Sequence, residues 1–300
     1  MSNSISTAAA VSTTKVFKKR SQFMEVRHRL KKNKWAIGGL VVLLLLALIA
    51  IFAKWIAPYG YDDQNMDTLL IAPGVNSNFL LGTDNLGRDI LSRVIYGAQI
   101  SLLVGIIAIS ISAFFGITLG MISGYYGGKL DNVIMRGMDI LLAIPGILLA
   151  IAIAATLGPG INNAIVAVGI AGIPSFARVV RGSILSVREM EYIDAARAIN
   201  ASDFRIITNH ILPNILGPVI VQFTLGIANA ILEVASLSFL GLGVQPPIPE
   251  WGGMISSARE YMRDAGYMVT IPGIAIMITV FAINIFGDGL RDALDPRLKQ

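Results

Sequence analysis

Residues 35–57 read WAIGGLVVLLLLALIAIFAKWIA, a run of 23 positions in which Lys54 is the sole charge. Wound into an α-helix, such a run is about 34 Å long, enough to cross the ~30 Å hydrocarbon core of a bilayer. Five further apolar runs follow, at 98–122, 133–157, 163–180, 211–232 and 267–286, so the pattern predicts six crossings and an all-α integral membrane protein. Composition agrees: the 300 residues are 54% hydrophobic and 14% charged, with mean hydropathy +0.68, where soluble chains run near 25% charged. A water-soluble globule, a nucleic-acid module and a disordered chain are poor readings of such a sequence. Zero cysteines also remove a disulfide framework, a thiolate metal site and a cysteine nucleophile.

The net charge of +5 gains meaning from where it sits. Nine basic residues, Lys15 through Lys34, precede the first run. With six crossings, Lys129, Arg136, Arg178, Arg181, Arg188, Arg197, Arg205, Arg291, Arg297 and Lys299 fall on the same side as that tail, and only Arg88, Arg93, Arg259 and Arg263 fall opposite. Excess Lys and Arg in short loops marks the cytoplasmic face, so both termini are expected there. The chain then divides into a basic tail (1–34), a first transmembrane helix (35–57), an extracytoplasmic loop (58–96), a core (97–290) and a C-terminal tail (291–300). Within the basic tail, Phe23, Val26 and Leu30 recur at helical spacing among Arg27, Arg29, Lys31 and Lys32, the pattern of a helix lying on anionic lipid headgroups. Residues 1–14, rich in Ser, Thr and Ala, are expected to be unstructured.

Pro174, Pro213 and Pro218 interrupt the fourth and fifth runs. Such helices survive where neighbours re-satisfy the freed backbone groups, which predicts a packed bundle shared with a partner chain. Gly105, Gly116, Gly120, Gly146, Gly169 and Gly172 fit close helix approach.

The connection at about 182–210 reads as two short helices with a bend. Residues 189–199 form helices well, with acids toward the start as the helix dipole prefers. Asn200 stops that helix through its tolerance of the left-handed backbone. Ser202 and Asp203 then supply the cap and first turn of a second helix through Ile207. The adjacent Ala195 and Ala196 leave one side of the first helix nearly bare, open to another surface.

At this point the residues carry a resemblance. The segment EYIDAARAINAS at 191–202 resembles the Glu-Ala-Ala loop of binding-protein-dependent ABC importer permeases. The resemblance to these permeases extends beyond that loop, to LGTDNLGRDILSR at 81–93, SFLGLG at 238–243 with PEWG at 249–252, and GDGLRDALDP at 287–296. Together they are similar to the C-type permease subunit of dipeptide, oligopeptide and nickel importers, from about residue 20 to the end. Asp194 stands where the family motif has Glu, and Asn200 where Gly is usual. The resemblance implies a type I ABC importer permease fold in a prokaryotic cytoplasmic membrane. It implies a second homologous permease, two cytoplasmic ATPase subunits that bind the ATP and magnesium, and an extracytoplasmic substrate-binding protein as partners. It also implies that the loop docks in a groove on an ATPase. Tyr192, Asp194, Ala195, Ala196, Arg197, Asn200, Ser202, Asp203 and Arg205 would carry that contact, the alanines by close approach and the charged residues by polar docking.

The chain itself offers no evident chemistry. The nearest approach to a phosphate-binding loop, Gly127-Gly128-Lys129-Leu130, lacks the earlier Gly and the hydroxyl residue such a loop requires. Two histidines, His28 and His210, make neither a metal cluster nor a hydroxyl–imidazole relay, so no catalytic or metal-ligating residue is expected. Arg136 and Asp139, three apart, are expected to neutralise one another on a helix face. Gln222, Gly226, Asn229 and Glu233 recur at helical spacing and place polar groups on one stripe of the fifth run. That stripe either lines a translocation path or seals against the partner permease. On the opposite face, Asp62, Asp63, Asp67, Asp84 and Asp89 either meet a basic partner or pair internally with Arg88 and Arg93. The reading is a permease subunit for di- or oligopeptide import. Nickel or metal-chelate import stands as the alternative within the family, and an ion-coupled carrier as the alternative outside it.

Overall fold

The computed structural model describes residues 28–294. Among them the chain is helical throughout, apart from loops and one isolated antiparallel bridge between Thr83 and Asp89. In chain order the helices are α1 (Lys34–Ile51), α2 (Ala53–Ile56), α3 (Ile90–Tyr126), α4 (Gly128–Leu142), α5 (Gly146–Leu157), α6 (Ile161–Arg188), α7 (Glu191–Ala198), α8 (Asp203–Ile206), α9 (Leu212–Phe239), α10 (Trp251–Ser257) and α11 (Tyr267–Leu294). A π-helical turn, Ile207–Ile211, joins α8 to α9 without a break. Five helical stretches are long and apolar enough to cross a membrane (α1, α3, α6, Asp203–Phe239 and α11), and the α4–α5 pair makes a sixth crossing if counted as one span. Of the expected surface helix, residues 28–32 are helical; Phe23 and Val26 lie outside the described residues, as do residues 1–14 and 295–300. Asn33 then caps α1, its side-chain oxygen accepting from the Ala36 N–H at 3.1 Å.

The third crossing differs from the expected straight span. Residues 133–157 are broken by an 87° bend between α4 and α5. The cause is Pro145: it removes a backbone donor, clashes with a continuing helix, and pre-sets the start of α5 instead. The α4 half has no buried residue and lies against α6, so it does not run through the bundle. That position corrects the ion pair expected within α4. Asp139 accepts from the Arg178 Nη2 of α6 at 2.6 Å, and Arg136 stays exposed. A second α6 arginine, Arg181, grips Asp131 with both prongs of its guanidinium, at 2.7 and 2.6 Å, a geometry that suits a planar fork.

The most extensive packing in the molecule joins α3 to α6, and small residues permit it. A methyl group on Gly120 would stand 2.7 Å from the carbonyl oxygen of Ala177, and one on Gly116 would overlap the Phe176 Cβ. Val104, Ala108, Ala164, Ala167, Ala230 and Leu237 extend this seam to α9 as a core of small apolar side chains. Outside it, α1 and α11 pack on one another and leave Trp35, Leu44, Leu48 and Phe281 exposed, as a lipid-facing surface requires.

One end of the bundle is closed by a clasp. Asp84, 5% exposed, accepts from the backbone N–H groups of Leu86 and Arg88 and from Arg88 Nε at 2.7 Å; Arg93 Nε lies 3.7 Å away. Asp89 caps α3 by accepting from Ser92 at 2.8 Å. Glu250, 1% exposed, accepts from Gly252 and Gly253 at the start of α10, while Trp251 donates through Nε1 to the Val94 carbonyl at 3.1 Å. Asp84 and Asp89 are therefore internal, and of the five acids only Asp62, Asp63 and Asp67 face outward.

Candidate functional site

Two features stand out: the α7–α8 turn at one end of the bundle, and a cavity within it. The turn is built as its residues dictate. Asn200 adopts φ = 58°, the left-handed conformation open to Asn at small cost. The Ala201 N–H then reaches the Ala196 carbonyl at 3.1 Å and the Asn200 N–H reaches that of Arg197 at 2.9 Å, the paired closure of a Schellman motif. Ser202 caps α8, its hydroxyl accepting from the Arg205 N–H at 3.4 Å.

From inside, this turn is fixed to the spans. Ile193 and Ala196 are buried with Ile206, Ile211, Ile215, Val180 and Ile184 in one apolar cluster. The Tyr125 hydroxyl at the end of α3 donates to Asp203 at 2.6 Å, and Arg188 Nη1 donates to the Gly124 and Tyr125 carbonyls at 3.2 Å. Outside, the turn is bare. Ile199 is 81% and Phe204 77% exposed, beside the exposed Tyr192, Ala195 and Arg205. The Asp194–Arg197 pair, 3.2 Å apart, is solvated.

The two alanines therefore part company. Ala195 faces out as expected, but Ala196 is 6% exposed and packs inward, because it sits three residues after Ile193 on the same helical face. Its place on the bare surface is corrected. Asp203 is likewise occupied by Tyr125. Ile199 and Phe204 fall inside the stretch 192–206 expected to carry the contact but were not singled out, although two large apolar residues flanking a helix stop in a polar connection were a usable signal.

The cavity encloses about 240 Å³ between α3, the α4–α5 bend, α6 and α9. Gln222, Gly226, Asn229 and Glu233 all line it, so the stripe predicted on the fifth run converges on one space. Ser112 and Ser175 add hydroxyls from α3 and α6, which the sequence did not reveal. Among the described residues no group of three or more His, Asp or Glu is placed to hold a metal. Such an arrangement can bind and release a polar solute through hydrogen bonds; it holds no nucleophile–base pair.

Residues 116–300 match the family described as "Binding-protein-dependent transport system inner membrane component", and residues 21–73 match the "N-terminal TM domain of oligopeptide transport permease C". The chain is 47% identical over 292 residues to the dipeptide transport system permease protein DppC of Haemophilus influenzae, covering 96% of this chain and 99% of that one. It is 47% identical over 281 residues to the glutathione transport system permease protein GsiD of Escherichia coli O157:H7, covering 93% and 92%. Among solved structures, an inward-facing conformation of the MetNI methionine ABC transporter superposes with a TM-score of 0.57 at 20% identity, over 68% of this chain and 96% of that one. At that identity the likeness is one of fold.

Proposed function

Since the chain belongs to the inner membrane components of binding-protein-dependent transport systems, as a C-type dipeptide and oligopeptide permease of the bacterial inner membrane, we propose how it couples to its partners and what it carries. It pairs with a second permease to enclose a path for di- or oligopeptides. The α7–α8 turn lies in the cytoplasm with both termini and docks on an ATPase subunit, which binds ATP and magnesium. The clasp end faces an extracytoplasmic binding protein. Dipeptide and glutathione are the cargoes named for the relatives above, which supports peptide over nickel.

The observation that carries this reading is the two-sided build of the α7–α8 turn, rigid toward the spans and apolar toward open space. A solvated connection has no reason to expose both Ile199 and Phe204 while burying Ile193 and Ala196; a docking surface does. The turn continues through the π-helical segment into α9, so Asp203–Phe239 is one uninterrupted helical rod. From Phe204 to Asn229 that rod spans about 38 Å. A displacement of the turn by an ATPase would reach the cavity wall along α9 itself, with Tyr125 and Arg188 carrying the same displacement to α3. π-Turns recur at functional positions in helices, and this one sits where the docking surface meets the span.

The test is purification in mild detergent with identification of the accompanying subunits, then reconstitution. A second permease and an ATPase are expected to co-purify, and ATP hydrolysis should rise when loaded binding protein is added. Uphill solute movement by this chain alone would overturn the reading.

A further inference from the structure

We infer that Glu233 is the point in the cavity that holds the ammonium group of a peptide cargo, and so a determinant of cargo charge. The inference rests on the cavity being the translocation path. Glu233 is the one ionisable side chain lining it; the other polar groups there, Ser112, Ser175, Gln222 and Asn229, are neutral. It takes part in no hydrogen bond or ion pair among the described residues. A carboxylate at membrane depth without a counter-charge is costly and ordinarily marks a site of function.

Its surroundings explain how the charge is tolerated without being cancelled. The helix α5 begins at Gly146 with Pro145 as its cap and no side chain accepting from its first N–H groups. A Cβ on Gly146 would lie 3.7 Å from Glu233 Oε1, so the carboxylate stands beside the positive end of the α5 dipole, which favours an anion there. That dipole offers partial charge only. The remaining valence faces a space of peptide-fragment size that is lined with amides and hydroxyls, and the cargo class supplies a cation at its amino end. A half-buried carboxylate facing an otherwise neutral wall gives a contact strong enough to orient the peptide and weak enough to release it. The same charge turns the cargo's own carboxylate away, so the peptide lies with its amino end at Glu233.

The complete transporter, reconstituted with its partner subunits and binding protein in liposomes, tests this. Glu233→Gln is expected to slow uptake of a free-amino dipeptide about tenfold, the scale of one hydrogen bond to a charged group. N-acetylated dipeptide, presented at binding-protein-saturating concentration, should be carried alike by both chains. Equal slowing of the two cargoes overturns the inference, because Glu233 then pairs with protein; no slowing of either overturns it as well. A second arm reads the charge directly. This chain has no cysteine, so Glu233→Cys with cysteine-free partners gives one thiol. An anionic sulfonatoethyl thiosulfonate should restore uptake and a cationic trimethylammonioethyl thiosulfonate should block it. Identical effects of both reagents sink the charge role while leaving the path reading intact. Failure of either reagent to label in any stage of the cycle sinks the path reading too.

Discussion

The clasp and the α7–α8 turn are both polar connections between spans, both carry arginines and aspartates, and they end in opposite states. In the clasp the charges are turned inward: Asp84 and Arg88 lie 2.7 Å apart with side chains 8% and 6% exposed, and Glu250 and Trp251 are buried at the start of α10. In the turn, Asp194 and Arg197 touch in solvent, with side chains 70% and 43% exposed, and the apolar residues Ile199 and Phe204 are left uncovered. The same residue types thus build a finished corner at one end and an unfinished one at the other. An unfinished corner on a rigid base is what a partner completes.

Substitutions at four positions, in the clasp, the α3–α6 seam and the turn, sharpen that contrast, in falling order of effect on stability. Asp84→Ala strands Arg88 in a buried site and should cost about 3–5 kcal/mol, as loss of one partner of a buried pair does; thermal unfolding in detergent reads it. Gly120→Leu forces α3 off α6 and should cost about 1–3 kcal/mol, with loss of the folded fraction on size exclusion. Asn200→Ala places an ordinary residue in the left-handed region at about 1–2 kcal/mol, whereas Asn200→Gly should be at least as stable as the parent by the same measurement. Phe204→Ala should change stability by less than about 0.5 kcal/mol, as exposed substitutions do, yet cut the stimulation of ATP hydrolysis by loaded binding protein. If Phe204→Ala destabilises the isolated chain as much as Asp84→Ala, the turn is a finished corner too and the contrast fails.

The crossings were legible because apolar run length is a property of the segment alone. Their ends were not. α3 starts at Ile90, ahead of the apolar run, because Asp89 caps it, and α11 continues to Leu294 through Asp288 and Arg291; hydropathy marks the lipid-facing part of a helix, not its hydrogen-bonded length. The bend of the third crossing was written in Pro145 and Gly146, which a straight reading passed over. The stop at Asn200 and the cap at Ser202 were readable, since both are local backbone chemistry. The partner of Asp139 was not, because Arg178 lies on another helix and only packing brings it near. Ala196 could have been sorted from Ala195 by its spacing from Ile193, while the serines that complete the cavity needed three helices in place.

If the bare apolar tip of the α7–α8 turn rests on an ATPase, a probe placed at that tip should find it. Phe204→Cys gives this chain its single thiol, and short thiol-to-amine cross-linking in the assembled transporter reads its neighbour. One adduct is expected, with the ATPase subunit, and its yield should change when ATP is added. Absence of any adduct in every nucleotide state, together with unimpaired uptake by Phe204→Ala, would contradict it.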